Sequence, residues 1–204
     1  MTNDLEDLVH LTKSQVKPAC RMLARAFQDD PLSIYWIPDA RKREKLLATI
    51  FEVIIRYGVI YGRVYATSID LEGVAVWHPP GKAKMSAWAT VRSGGFSLVP
   101  KVGIRIISRM QSYGKYASAL HDRLADFPHW YLAPIGVDSV FQGRGHGGTL
   151  IKAMLARLDE DDLPCYLETH KEKNMEMYRH YGFIVVETGV IPGTEVKHWS
   201  MLRR

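Results

Sequence analysis

The seven residues Gln142-Gly143-Arg144-Gly145-His146-Gly147-Gly148 combine four glycines with a cation. They lie between an apolar run, Trp130 to Val137, and a helix-patterned run, Thr149 to Leu158. A glycine-dense turn entering a helix leaves the first N–H groups of that helix without internal partners, and the helix dipole favours an anion there. Each hydrogen bond to a charged oxygen contributes about 1.5–3 kcal/mol, against roughly 0.3–1 kcal/mol from the dipole, so the fan of N–H groups dominates. The expected ligand is a phosphate or pyrophosphate, which side chains in place of the glycines would hold off.

Several phosphate chemistries compete for this turn. A Walker loop needs a lysine and then Ser or Thr after its last glycine, but Gly148 runs straight into Thr149. Gly143, Gly145 and Gly148 do satisfy G-x-G-x-x-G, and Glu168 ends the next strand-like run as a ribose-binding acid would. Against a dinucleotide, Asp138 to Gln142 separate the strand from the first glycine, and the chain ends in strands rather than further strand–helix–strand units. A turn shaped for packing alone seldom needs so many glycines.

The elements that position these residues follow from periodicity. A short strand at about Leu8–Leu11 precedes a helix from Ser14 to Phe27, with Val16, Ala19, Cys20, Leu23 and Phe27 at helical spacing. Gln28-Asp29-Asp30-Pro31 ends it. A second helix follows Pro38, with Asp39 as cap, and runs to about Tyr61. Arg63–Ile69 and Gly73–Trp77 read as strands. Met85 to Phe127 reads as mostly helical, broken at Gly94, Gly95, Gly103 and Gly114. Within it, Lys101 to Met110 is basic and amphipathic, a pattern that suits a membrane surface or a helix packed on a sheet. The last third alternates: strand His129–Val137, helix to Leu158, strand Pro164–Glu168, helix Lys173–Tyr181, then strands Phe183–Val190 and Glu195–Leu202.

The segment Ile135 to Gly148 resembles the acyl-CoA-binding signature of the GNAT superfamily of N-acetyltransferases. That signature is a strand ending in valine, a short excursion, then Q/R-x-x-G-x-G/A opening a helix; Gln142, Gly145 and Gly147 fall on it. Ser139 stands where many members carry a proline, which only rigidifies the excursion. Downstream, Leu167 to Phe183 resembles the family's second signature, with Asn174, Tyr178, Gly182 and Phe183 in its places. The likeness is close from Trp130 to the C-terminus. Earlier, Arg25 to Pro31, Val74 to Trp77 and, at the end of the chain, His198 to Met201 look like the puromycin N-acetyltransferase branch.

The resemblance implies an α/β (α+β) fold: a mixed, mostly antiparallel sheet with splayed central strands, flanked by helices. It implies one domain over 1–204, with an acceptor-side half, 1–128, carrying a variable helical insertion at about 85–127, and an acetyl-CoA-binding half, 129–204. Acetyl-CoA is the implied co-substrate, with no metal. Backbone N–H groups near Ile135 and Val137 would bond the thioester and pantetheine, freed by a bulge at Gly136. Gln142, Gly143, Arg144, Gly145, His146, Gly147 and Gly148 would hold the pyrophosphate, and Asn174 is a further donor-binding residue.

With no Ser, Cys or Lys in an evident nucleophile motif, the expected reaction is direct attack by an amine in a ternary complex. Tyr178 is the expected acid for the leaving thiolate, and packing is its structural alternative. Glu168 and His129 are candidate bases, with a water chain as alternative. Asp29, Asp30, Tyr35, Trp36, Trp77 and His78 supply acids and aromatics suited to a cationic amine. Of these, Asp30, Tyr35 and Trp77 are the expected substrate contacts, although the acids also suit a helix end and the tryptophans a core. A CoA-sensing domain without turnover is the alternative from a different class, and Tyr178 in place argues against it.

Bulk properties limit the partners. The chain has 204 residues, 47% hydrophobic, with a net charge of +5. Its basic residues are scattered and no nucleic-acid motif appears, so a small-molecule amine is the expected partner rather than nucleic acid. The acidic start, Met1 to Asp7, does not read as a signal peptide, and no apolar run reaches the length of a membrane span. A cytoplasmic protein without stable membrane association is expected, and a homodimer is compatible with the sequence. Cys20 and Cys165 make neither a disulfide framework nor a zinc site.

Overall fold

The computed structural model describes residues 5–204, so Met1–Asp4 of the acidic start lie outside the described residues. The N-terminal strand is reduced to β1 (Val9–His10). Helix α1 (Val16–Ala26) buries Val16, Ala19, Cys20 and Leu23, as their spacing requires. The stretch Gln28 to Pro31, expected only to end α1, also starts α2 (Pro31–Trp36). There the Asp30 carboxylate accepts the Leu32 N–H at 3.0 Å, and Pro31 occupies the first turn, where its missing N–H costs nothing. Asp39 caps α3 (Ala40–Tyr61) by accepting the Arg41 N–H at 3.0 Å. Strands β2 (Arg63–Ala66) and β3 (Gly73–His78) follow.

The helical insertion resolves into α4 (Ala87–Arg92), α5 (Leu98–Val102) and α6 (Ile104–Leu124). Gly94 and Gly103 adopt positive φ and break it as expected, but α6 runs through Gly114 without interruption. A helix interior accepts a glycine at a cost of about 1 kcal/mol, which packing elsewhere on α6 offsets. The amphipathic stretch turns Ile106, Ile107 and Met110 onto the core, so its apolar stripe is used inside the fold. Among the described residues, no helix is long and apolar enough to cross a membrane. The remaining elements are β4 (Trp130–Val137), α7 (His146–Glu160), β5 (Cys165–Thr169), α8 (Glu172–Arg179), β6 (Ile184–Val190) and β7 (Lys197–Arg203).

The seven strands lie in the order β1-β2-β3-β4-β5-β7-β6. Every neighbouring pair is antiparallel except β4–β5. That parallel pair is held by three register positions only, Trp130↔Cys165, Tyr131↔Tyr166 and Leu132↔Leu167. Beyond Leu132 the strands part, which is the splay expected of them. Helices α1, α3 and α6 cover one face of the sheet; α7 and α8 cover the other.

The bulge that releases β4 is not at Gly136. The β3–β4 register runs Ala75↔Ile135 and then Trp77↔Leu132, so Ala133 and Pro134 together face one residue of β3. Proline has no N–H to give a ladder, which makes Pro134 the natural point of departure. Gly136 instead pairs regularly with Val74. A Cβ there would stand 2.8 Å from Leu23 Cδ2 and 3.0 Å from Phe27 Cε2, so glycine is required for α1 to lie against the strand.

Candidate active site

After β4 the chain makes its excursion on a fixed footing. The buried Asp138 carboxylate receives Arg25 Nε at 2.9 Å and Nη2 at 2.5 Å, tying the loop to the end of α1. Those contacts hold the Asp138 carboxyl below its ordinary range despite its burial. Gln142 Nε2 donates to the Val137 carbonyl at 3.1 Å and closes the loop on its own strand.

The four glycines then have separate reasons. Gly143 and Gly145 take φ of +79° and +90°, with open space where a side chain would stand. Gly145 is the N-cap of α7, and the first helical bond is Thr149 N–H to the Gly145 carbonyl at 3.0 Å. The N–H groups of His146, Gly147 and Gly148 therefore form the unsatisfied first turn. A Cβ at Gly147 would make only ordinary contact, 3.6 Å from Val137 Cγ2. At Gly148 it would meet the Tyr181 hydroxyl at 2.8 Å, so this glycine serves packing. Arg144 lies over the Phe141 ring at 5.5 Å, with its charge exposed beside the turn.

Glu168 stands at the end of β5, just past the last β4–β5 pair. Tyr113 and Tyr131 donate to its Oε2 at 3.2 and 3.1 Å, and Tyr166 donates to Oε1 at 3.2 Å. Burial pushes the carboxyl up to about 7, although the three hydroxyls pull the other way. The phenols of Tyr113 and Tyr131 rise in turn through burial and then through Glu168 itself. A cavity of about 440 Å³ opens onto this group, lined by Lys84, Met85, Tyr113, His121, Tyr131 and Glu168 among others. Lys84 pairs with Asp122 of α6, and Tyr57 donates its hydroxyl to the Lys82 carbonyl at 2.8 Å, fixing the cavity's edge.

His129, the other candidate base, is buried and paired. Its Nδ1 lies 2.6 Å from the Phe127 carbonyl and must donate there, leaving Nε2 to accept from His121 Nε2 at 2.7 Å when both rings are neutral. His121 reaches the cavity wall; His129 lies behind it.

Tyr178 belongs to the opposite face of the sheet. It is buried against Phe183, with ring centroids 5.8 Å apart. Burial, then Cys165 and Asp30 nearby, raise its phenol and keep it protonated. Asn174 stands one turn earlier on α8, half-buried. Ile135 and Val137 line the unpaired part of β4, where its edge toward β5 is free of ladder bonds.

The expected acceptor wall is placed differently. Trp77 is fully buried in the core beneath α7, so it is not a cavity wall; its position on the inner face of β3 leaves no exposed surface. Asp30 serves as the α2 cap, while Asp29 is exposed. His78 is buried and reaches the Ala133 carbonyl at 3.2 Å, supporting the bulge. Tyr35 lies under Arg109, whose Nη1 donates to its carbonyl at 3.0 Å, and Trp36 packs edge-on to Tyr113 at 5.9 Å. The cavity is thus built from α6 and the ends of β4 and β5. Sequence reasoning missed Tyr113, Tyr131, Tyr166 and His121. The alternation of Tyr166 with Glu168 on one strand face was the one local signal for them.

The buried imidazoles set an acid limit on stability. Burial lowers His78, His121 and His198 to about 4 and His170 to about 3. Between pH 6.5 and those values the unfolded chain binds protons that the native chain refuses, so stability falls with pH. Glu168 has the opposite sign, because its native carboxyl holds a proton between pH 4.5 and about 7 that the unfolded chain has lost. His10 is lowered by burial in the same direction and Asp30 is raised by burial like Glu168, so the imidazoles outnumber these carboxyls and leave a net loss on acidification. We expect the urea midpoint to fall steadily from pH 6.5 to 4.5, with a shallower slope in His78→Gln; a flat midpoint in the parent protein would refute this.

The model of the acetyltransferase (GNAT) family matches residues 77–183, about half of the chain. The chain is 31% identical over 176 residues to an uncharacterized N-acetyltransferase of Schizosaccharomyces pombe, covering 82% of this chain and 70% of that protein. In structure it is similar to a histone acetyltransferase HPA2 and related acetyltransferase from Corynebacterium glutamicum, with a TM-score of 0.66 and 23% identity over 96% of this chain and 94% of that one. It is also similar to a putative arylalkylamine N-acetyltransferase 7 of the yellow fever mosquito, with a TM-score of 0.67 and 14% identity over 97% and 86% of the two chains. Splayed strands, a glycine turn capping α7 and these relatives converge: the chain belongs to the GNAT family and is an N-acetyltransferase.

Proposed function

We propose that this protein transfers an acetyl group from acetyl-CoA to a primary amine of a small molecule, by direct attack in a ternary complex. The observation that carries the reading is Glu168: a buried carboxyl poised at about 7, set where the central strands part and facing a cavity. A base is most useful when its pKa lies near the working pH. The arylalkylamine specificity in the name of the mosquito relative, and the likeness of the early segments to the puromycin branch, support a small organic amine.

The residues fit the donor. Gly143 and Gly145 leave open space for a pyrophosphate, the N–H groups of His146 to Gly148 face it, and Arg144 adds charge. Acetyl-CoA supplies an activated acyl carbon, with Ile135 and Val137 offering backbone groups to the arm that leads to it. An N–H fixed where the carbonyl oxygen gains charge stabilises the transition state. On the acceptor side, the faces of Tyr113 and Tyr131 suit an ammonium group, and Glu168 takes its proton. Tyr178, on the opposite face, returns a proton to the thiolate as the carbon–sulfur bond breaks.

The test is thiol release from acetyl-CoA across a panel of amines. We expect turnover with primary amines. Tight CoA binding without turnover on any amine would instead mark a CoA sensor. In the same assay Tyr178→Phe should lower kcat by about 10-fold or more while KM changes little, because the proton is given only in the transition state. An unchanged kcat would remove Tyr178 from the chemistry.

A further inference from the structure

We infer that the protein carries a second anion site, for a phosphate monoester, in the cavity between the start of α1, the end of α3 and α4. This cavity measures about 450 Å³, within the range of small-molecule sites. Its walls hold Lys13, Lys17, Arg56 and Arg92, over an apolar floor of Val16, Val59 and Ile60. Arg56 has a counter-charge in Glu52 at 2.5 Å. Among the described residues, no carboxylate lies within salt-bridge distance of Lys13, Lys17 or Arg92. Like charges gathered around a concave wall repel one another, and an anion seated between them relieves that repulsion.

A second feature points the same way. An adjoining recess of about 80 Å³ shares Arg56 and is lined by Ser93, Ser97 and Lys101, with Glu52, the partner of Arg56, also in its wall. Ser93 is 1% exposed, and its hydroxyl has no hydrogen-bond partner. A buried hydroxyl left unpaired is costly, so this donor favours an acceptor brought to the recess. A phosphate offers several acceptor oxygens and close to two charges, which matches several cations better than a carboxylate does. The apolar floor suits a small hydrophobic group on the ester.

This is not the donor site. Helix α1 has eleven residues, so its two ends lie about 16 Å apart. Lys13 and Lys17 sit at its first end. Arg25, at its last turn, pairs with Asp138 beside the glycine turn. The inference therefore stands whether or not the acyl donor is acetyl-CoA.

The test is titration calorimetry on the full chain with phenyl phosphate and inorganic phosphate, alone and with saturating CoA. A parallel arm measures co-sedimentation with phosphatidylcholine vesicles containing phosphatidic acid. Phenyl phosphate should bind in the presence of CoA, more tightly than inorganic phosphate, and at least 10-fold more weakly to Lys17→Glu/Arg92→Glu. Both side chains are exposed, so the double variant should melt like the parent. Vesicle binding abolished by the same variant, without binding of the free phosphates, would assign the phosphate to a lipid headgroup at this site. Competition by CoA, equal affinity in the double variant, or no binding in either arm would overturn the inference.

Discussion

Glu168→Gln should lower kcat/KM for the amine by about 10²–10⁴-fold at pH 7.5, the range expected when a positioned base is lost. The parent rate should fall as pH drops through about 7, where the buried carboxyl gains its proton and can no longer accept one from the amine. In the variant that acidic limb should vanish, leaving a low, flat profile. The fold should survive. A glutamine carbonyl still accepts from Tyr113 and Tyr131 on one side, and the Tyr166 hydroxyl can rotate to accept from the new amide. The substitution also removes a group that favours the native state below pH 4.5 and loses that effect as pH rises through about 7. Pre-steady-state rates across pH 5.5–9, with circular dichroism for folding, provide the check. Retention of the acidic limb by the variant would assign the base elsewhere.

The second large effect belongs to the glycine turn. Gly145→Val places a β-branched residue at φ +90°, a region such residues avoid, so the cap of α7 must redraw. Losing two hydrogen bonds to a charged oxygen, at about 1.5–3 kcal/mol each, weakens acetyl-CoA by about 10²-fold or more. The fold should survive with a loss of about 1–3 kcal/mol, because the positive φ strains a valine even though nothing lies within 4 Å of the new side chain. Gly147→Ala is the contrasting variant: it makes only ordinary contact with Val137 and should keep its affinity. Calorimetry with CoA distinguishes them. Equal binding by Gly145→Val and the parent would detach the turn from the phosphates.

Much of this is legible in the sequence, where the signal is local. Asp39 announces α3 through its own cap, and the spacing of Gly143 and Gly145 announces the turn they form. The errors came where one residue type serves two ends. Pro31 reads as a terminator of α1, yet a proline is equally at home opening α2. Gly136 reads as a bulge because strand glycines often mark one, while the proline two residues earlier carries the stronger constraint. The cage around Glu168 was illegible for another reason. Tyr113 is 55 residues away in sequence and reaches it only because α6 lies across the sheet. No periodicity records such a meeting. Side-chain chemistry alone misplaces Trp77, since an aromatic near a pocket is as easily a keystone of the core.

The parallel seam has a mechanical meaning. Four strands on one side and three on the other are joined along the middle by three rungs, after which the two slabs stand apart like an opened book. Under the proposed reading the acyl carrier occupies the crease and takes the place of the missing rungs, as part of the spine that keeps the halves at a fixed angle.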